Sequence, residues 1–421
     1  LQGKGVGGST LHNLNLCKRV PDALLASWAE KSGLVDLPGQ LATAYDAMEE
    51  ALGVHPVPAN QVNRNNQIFQ QGCAALGWEA GPLQHNRQGC IGSGFCELGC
   101  AYDAKMNAAR VLLPAAVASG ARVLSQVRVR RVLHRFGCAT GVQGVGKAGV
   151  PVRIDARAVV LAASATGSAA LLLASGLHDR HRQVGAGLHL HPGASVGAWF
   201  GRPVRGWEGI PQSWECTEFL DPTDPEKRCW LLPVFGHPVG AASSLPGFGA
   251  EHNKWMSRYS HMAAASAMLH DHTSGRVLAT RDGAPRIRYR LTRDDARHLS
   301  RGLSAAAEIL LAAGAKEVLM PQDNGLVVTR PSEARAAADL PIRSHAPTLM
   351  AVHPMGGLCM GTDPRRSATD PTGRLHCAQG VWVADGSLVP TSTGGPPQLT
   401  IYALGHLVGR ACARELGGEF A

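Results

Sequence analysis

Hydrophobic positions follow different periods along the chain. Over residues 22–52 they recur near helical spacing, with Leu24, Leu25, Trp28 and Leu34 among them, which predicts mostly helix. Ala104 to Ser119 reads as a further helix, closed by Gly120, a residue suited to a C-cap. From 121 to 164 the period becomes two. ARVLSQVRVRRVLHRF and GVQGVGKAGVPVRIDARAVVLAAS predict strands broken by glycine turns. Ala158 to Ala163 is a short continuous apolar run, as expected of a strand buried in a parallel sheet, and a helix from Gly167 to Ser175 follows it. Residues 196–345 read as short strands with one clear helix, Arg297 to Ala313. The strand–turn–helix texture then returns in GVWVADGSLVP and in a helix from Leu399 to about Leu416. Together these patterns predict an α/β domain built from residues 1–195 and 346–421, with an antiparallel-sheet domain of residues 196–345 inserted into it.

Composition changes this picture little. The chain has 421 residues, enough for two packed domains, and its 50 glycines and 26 prolines are scattered through apolar sequence, which argues for tight turns and against disorder. The net charge is +9, yet the basic residues are spread thinly and form no stripe interleaved with aromatics, so nucleic-acid binding is disfavoured. A positive field can instead favour an anionic cofactor or substrate. No apolar run reaches the length of a membrane span and no signal peptide opens the chain, so the location expected is cytoplasmic. The 11 cysteines, an odd number, point to reduced thiols or a metal–sulfur site more than to a disulfide framework.

The pattern G-x-G-x-x-G occurs at Gly3-Gly5-Gly8 and at Gly144-Gly146-Gly149. A dinucleotide fingerprint must follow a strand and open a helix, so that the pyrophosphate sits on the helix N-terminus. The first match has only two residues ahead of it, and the second leads into another strand, so neither is read as the primary fingerprint.

Other stretches carry a resemblance as an ordered series. GKGVGGSTLHN, VLSQVRVRRV, VVLAASATGSAALLLASGL, VGAGLHLHP and the C-terminal HPMGGLCMGTDPRRSATDPTGRLHCAQGVWVADGSLVPTSTGGPPQLTIYALG resemble, in order, segments of the glucose–methanol–choline (GMC) oxidoreductases. The resemblance implies a Rossmann-like FAD-binding fold with an inserted substrate domain. It places a glycine turn against the flavin at Gly7, Gly8 and Ser9, with Asn13 close behind; glycines there let main-chain N–H groups approach the cofactor. Val127 would meet the adenine, Ala162, Ser164 and Gly167 would form the following turn, and Gly185, Leu188, His191 and Pro192 would lie at the crossover into the substrate domain. Asp385 and Gly386 would contact the flavin through their backbone. Pro397 to Thr400 would set a helix N-terminus near the ring, where its dipole can stabilise the reduced anion. His353 would accept the proton of a substrate hydroxyl as hydride passes to flavin N5, giving FAD-dependent oxidation of a small-molecule alcohol, with a bulky lipophilic one among the substrates left open.

Relatives in this family pair the base with a second His or Asn just before the Pro-x-x-Thr turn; here that position is Pro396, which has no polar side chain. The departure keeps other readings open: another residue supplies the second hydrogen bond, or the site serves a different reaction such as isomerisation or cyclisation, or the chain is a flavin-free binding subunit. Cys90, Cys96 and Cys100 in GCIGSGFCELGCAYDAK are spaced like the three-cysteine loop of family dehydrogenases that carry a 3Fe-4S cluster, which would make the chain a flavin dehydrogenase relaying electrons through that cluster; the alternative is a structural loop with free thiols. The pairs His189/His191 and His270/His272 lack a third ligand at metal spacing. Family members also open with a strand, a G-x-G-x-x-G turn and a helix that are not seen ahead of Leu1, and a second polypeptide supplying that segment is the expected partner.

Overall fold

The computed structural model describes residues 3–322, 325–343 and 346–418. The chain builds two cores. The first gathers around a parallel strand pair, Val159–Leu161 beside Val381–Val383. The helix Ser164–Ala174 follows the first of these strands directly, the arrangement expected of a βα unit. Helices Asp22–Ser32, Leu37–Leu52 and Gln398–Glu415 place Leu24, Leu41, Met48, Leu399, Ala403 and Leu404 in the same core. The run 158–163 is thus parallel, as its sequence predicts, but it is not buried on both faces: Val160 keeps 46% of its surface exposed.

The second core is a seven-stranded antiparallel sheet, in the order Val327–Val328, Glu317–Leu319, Gly193–Trp199, Met262–Leu269, Cys229–Pro233, Trp214–Cys216 and Ala80–Pro82. Period-two alternation assigns its faces. Ala263, Ala265, Ala267, Cys229 and Leu231 pack under the long helix Arg293–Ala312, while Trp230, Leu232 and Met268 point to the other side. Small residues allow the close approach: a Cβ on Gly302 would sit 2.7 Å from the Cys229 sulfur. Helix Arg64–Leu76 crosses the same long helix equally tightly, since a Cβ on Gly72 would lie 2.1 Å from the Ile309 carbonyl oxygen.

The two cores draw on segments from both sides of residue 196. Residues 64–82 supply a helix and an edge strand to the second, whereas the strand Gly275–Ala279 pairs with Ala186–Leu188 and puts Val277 into the first. Two local expectations also change. The helix read over 104–119 is confined to Leu112–Ala118, because Lys105 and Asn107 commit the preceding residues to turns; Asn107 accepts the Arg110 N–H at 3.0 Å. The strand read from residue 121 begins only at Arg128.

One buried ionic group holds the sheet to the helix. Arg228, 3% exposed, donates to Asp294 at 2.7 Å, to the fully buried Asp295, and to the His270 carbonyl oxygen at 3.2 Å. Asp295 also accepts the Thr273 N–H at 2.8 Å, and its own N–H is capped by Thr292. Removing one member of a buried pair strands the other charge, so Asp295→Ala is expected to lower unfolding free energy by about 3–5 kcal/mol. Asp294→Ala, at the exposed end, is expected to cost much less. Urea denaturation of the two variants checks this, and equal losses would contradict it.

Candidate active site

The strand pair, the sheet and the C-terminal helix converge on one histidine pair. His353 and His191 meet Nδ1 to Nδ1 at 2.9 Å, with ring centroids 5.1 Å apart. His191 is fully buried and stacks on Trp230, one of the residues on the sheet face turned away from the long helix. His353 keeps part of its surface open and follows the exposed apolar residues Leu349, Met350 and Val352. Burial lowers the pKa of His353 to about 4, and burial together with the neighbouring His353 holds His191 well below its ordinary value. Both rings are therefore neutral near pH 7, the state in which an imidazole accepts a proton.

The backbone around the pair is pinned. His191 has φ 50, a left-handed conformation for a non-glycine residue. Asp271 stabilises it by accepting the N–H groups of Leu190 and His191, each at 3.1 Å, and the Tyr289 hydroxyl at 2.7 Å. Burial alone would raise the Asp271 pKa; the adjacent His189, Tyr289 and Leu190 N–H outweigh it and bring it down to about 2. On the other side, Met355 and His189 exchange backbone hydrogen bonds at 2.8 and 2.9 Å, and the Gly356 N–H donates to the Gly386 carbonyl at 2.9 Å.

That last contact draws in the Asp385–Gly386 turn. The carboxylate of Asp385 is consumed internally: it accepts Ser168 Oγ at 2.5 Å, Ser387 N–H at 2.9 Å and Ser387 Oγ at 2.5 Å. It ties the start of helix Ser164–Ala174 to this turn, and burial raises its pKa. Gly386 is backed by Pro354 and Ile401, where a Cβ would lie 3.2 Å from the Pro354 carbonyl oxygen. Thr400 is likewise engaged, its hydroxyl 2.9 Å from that of Tyr45, and the helix it opens has no side-chain cap at Pro397. Asn13 donates to Gln398, joining the N-terminal glycine turn to that helix. In that turn Gly7 and Gly8 have φ 106 and 62, and nothing lies within 4 Å of a Cβ placed on Gly8. Ser9 and Ala162 are exposed. Val127 lies just before strand Arg128–Arg135, whose Val132 N–H donates at 2.8 Å to Ser175 Oγ at the C-terminal end of helix Ser164–Ala174.

No metal–sulfur centre is supported at Cys90, Cys96 and Cys100, and the contacts there fit the alternative of a structural loop with free thiols. The three thiols line one small cavity with Arg87 and Lys105. No group of three or more His, Cys, Asp or Glu among the described residues is placed to hold a metal ion. Each sulfur instead meets its own partner: Gly92 N–H at 3.4 Å for Cys90, Ala104 N–H at 3.3 Å for Cys100 and Asn15 Nδ2 at 3.9 Å for Cys96. Lys105 is turned inward to three carbonyls, including Asn13 at 2.7 Å and Cys96 at 2.5 Å, so the loop braces the glycine turn. The residue that the spacing of motifs missed is His191, whose partner lies 162 residues further along the chain. The only signal was its place in the HLHP crossover.

Histidines whose pKa values the fold depresses give it a pH dependence. Burial lowers the pKa of His85 to about 3 and of His270 and His353 to about 4, with His191 also well depressed. The unfolded chain takes up these protons near pH 6.5 and the folded chain does not. Stability is thus fully present above about pH 6.5 and is lost progressively as pH falls towards about 4. Urea midpoints are expected to drop between pH 7.5 and 5; an unchanged midpoint would contradict the burial of neutral rings.

The GMC oxidoreductase N-terminal family pattern matches residues 1–193 and the GMC oxidoreductase C-terminal pattern matches residues 271–405. The chain belongs to the GMC oxidoreductase family. An uncharacterized GMC-type oxidoreductase of Mycobacterium tuberculosis is 36% identical over 407 residues, covering 96% of this chain and 63% of that protein. A long-chain-alcohol oxidase of Arabidopsis thaliana is 27% identical over 443 residues, covering 97% of this chain and 58% of that protein. This chain thus spans about six-tenths of these relatives' length. Among solved structures, pyridoxine 4-oxidase of "Mesorbium loti" superposes with a TM-score of 0.71 at 19% identity, over 95% of this chain and 82% of that one. A formate oxidase of Aspergillus oryzae gives 0.70 at 16% identity, over 98% and 84%. These likenesses establish the fold. Among the described residues no helix is long and apolar enough to cross a membrane.

Proposed function

We propose that this protein is an FAD-dependent oxidoreductase that oxidises the CH–OH group of a lipophilic alcohol. The observation that carries the reading is the neutral, partly open His353 beside His191, at the junction of the two cores. The glycine turn, open at Gly8 and joined through Asn13 to the uncapped helix start at Pro397–Thr400, and the Asp385–Gly386 backbone, joined through Ser168 to the helix after the exposed Ala162, fit a flavin. Ser9, Asn13 and Val127 would complete the cradle. When bound, FAD supplies the acceptor for the hydride leaving the carbinol carbon.

The chain's own residues do the rest. His353 is neutral and takes the hydroxyl proton of the substrate, a role that needs a base still unprotonated at working pH. Asp271 and Tyr289 fix the turn that carries its partner. The uncapped N-terminus of helix Gln398–Glu415 directs partial positive charge at the site, where it stabilises negative charge developing nearby. Leu349, Met350 and Val352 give the approach to His353 an apolar border, which favours an alkyl-chain alcohol over a sugar. Incubating the full-length protein, loaded with FAD, with a series of primary alcohols tests this. Aldehyde formation that rises with chain length supports the reading, and no oxidation of any alcohol overturns it.

A further inference from the structure

We infer that His191 is the second histidine of the catalytic pair: a positioning residue that accepts the Nδ1 hydrogen of His353 and so fixes the tautomer in which His353 Nε2 faces the substrate as a base. The inference rests on the function proposed above and goes beyond it. It assigns the task that the family places at position 396, where this chain has proline, to a residue on another segment.

Two neutral imidazoles that meet Nδ1 to Nδ1 at 2.9 Å must have one hydrogen between them, so one ring donates and the other accepts. A base that accepts through Nε2 must carry its own hydrogen on Nδ1. His353 then donates and His191 accepts, which places the His191 hydrogen on Nε2. That atom is buried and has no hydrogen-bond partner among the described residues, so no contact there competes for the opposite tautomer. When His353 takes the substrate proton at Nε2, its Nδ1–H stays bonded to a neutral acceptor, which stabilises the imidazolium.

His191 is also held as a positioning group should be. Its ring lies nearly parallel to Trp230, at 13°, and its strained backbone is clamped by Asp271. Asp271 is in turn tied to Tyr289. His191 therefore has little freedom to leave the 2.9 Å contact.

Amide substitutions separate this role from simple packing. In His191→Asn the side-chain amide occupies the place of Nδ1; in His191→Gln it occupies the place of Nε2. With saturating alcohol and no oxygen, His191→Asn is expected to reduce its flavin within ~10-fold of the wild-type rate, and His191→Gln ~100-fold more slowly. KM for the alcohol should move little in either, because the group acts through His353 and not on the substrate. Equal rates for the two variants, or a change in KM alone, would overturn the inference. His353→Ala is the control that separates the two claims. If His353→Ala is slow while His191→Gln matches wild type, only the role of His191 falls. If His353→Ala matches wild type, the base assignment falls and this inference falls with it. Melting curves and FAD content, measured on each variant, should stay close to wild type for His191→Asn, and a loss of bound FAD in both amide variants alike would mark His191 as a packing residue and overturn the inference.

Discussion

Replacing His353 with alanine is expected to slow alcohol-dependent flavin reduction by about 10²–10⁴-fold, the range that a well-placed general base supplies. The fold should survive the change. His353 is partly open, and among the described residues its side-chain hydrogen bond is to His191, whose loss costs about 1 kcal/mol. A large kinetic loss with a small thermodynamic one is the signature of a group that acts on the reaction. The expected check is stopped-flow reduction without oxygen, with melting curves recorded on the same preparations. A variant that reduces its flavin as fast as wild type would remove His353 from the chemistry. One that slows only because it has lost FAD would make it a structural residue.

The second large effect is expected at a glycine three residues away. Gly356 has φ 75, and a Cβ there would lie 1.9 Å from the Gly187 carbonyl oxygen. The obstacle is backbone, so no rotamer change relieves it. The left-handed conformation costs a non-glycine residue about 1–2 kcal/mol, and forced overpacking adds about 1–3 kcal/mol. Gly356→Ala is therefore expected to lose about 2–5 kcal/mol of stability. It should also lose rate, because the hydrogen bond from Gly356 N–H to Gly386 and the paired bonds between Met355 and His189 set the position of both histidines. Chemical denaturation measures the first loss and flavin reduction the second. A variant as stable as wild type would mean that the 187 and 356 segments can separate freely.

The two effects arise from the same place in the fold, and the sequence announces them unequally. HPMGG marks His353 because its neighbours belong to a recognisable series. Gly356 looks like one more glycine in that series; its constraint is the carbonyl of residue 187, which only the folded chain brings near. His191 shows the same limit more sharply. As one of two H-x-H pairs it invites a metal reading, and its real partner is fixed by the crossing of two segments far apart in sequence. Local patterns predict the parallel strand at 158–163, since an apolar run before a helix is a local feature. They do not predict that Val160 stays open, which depends on what lies over that face. The edge strand Ala80–Pro82 is three residues with a glycine and a proline, too short to show any period, and it is defined by pairing with Trp214–Cys216. The cysteine loop is ambiguous for the opposite reason. Its spacing suits a cluster as well as a structural loop, and in the fold its three thiols line one small cavity while Lys105 holds the loop onto the backbone of Leu11, Asn13 and Cys96.

The most direct test of the account is single-turnover reduction of the FAD-loaded, full-length protein by a long-chain primary alcohol, with and without deuterium at the carbinol carbon. The account predicts that the flavin absorbance bleaches without oxygen, that deuteration slows the bleaching, and that aldehyde appears in equal amount to the flavin reduced. A flavin that binds but stays oxidised with every alcohol tried would contradict it, and His353 would then have to be assigned to some other chemistry.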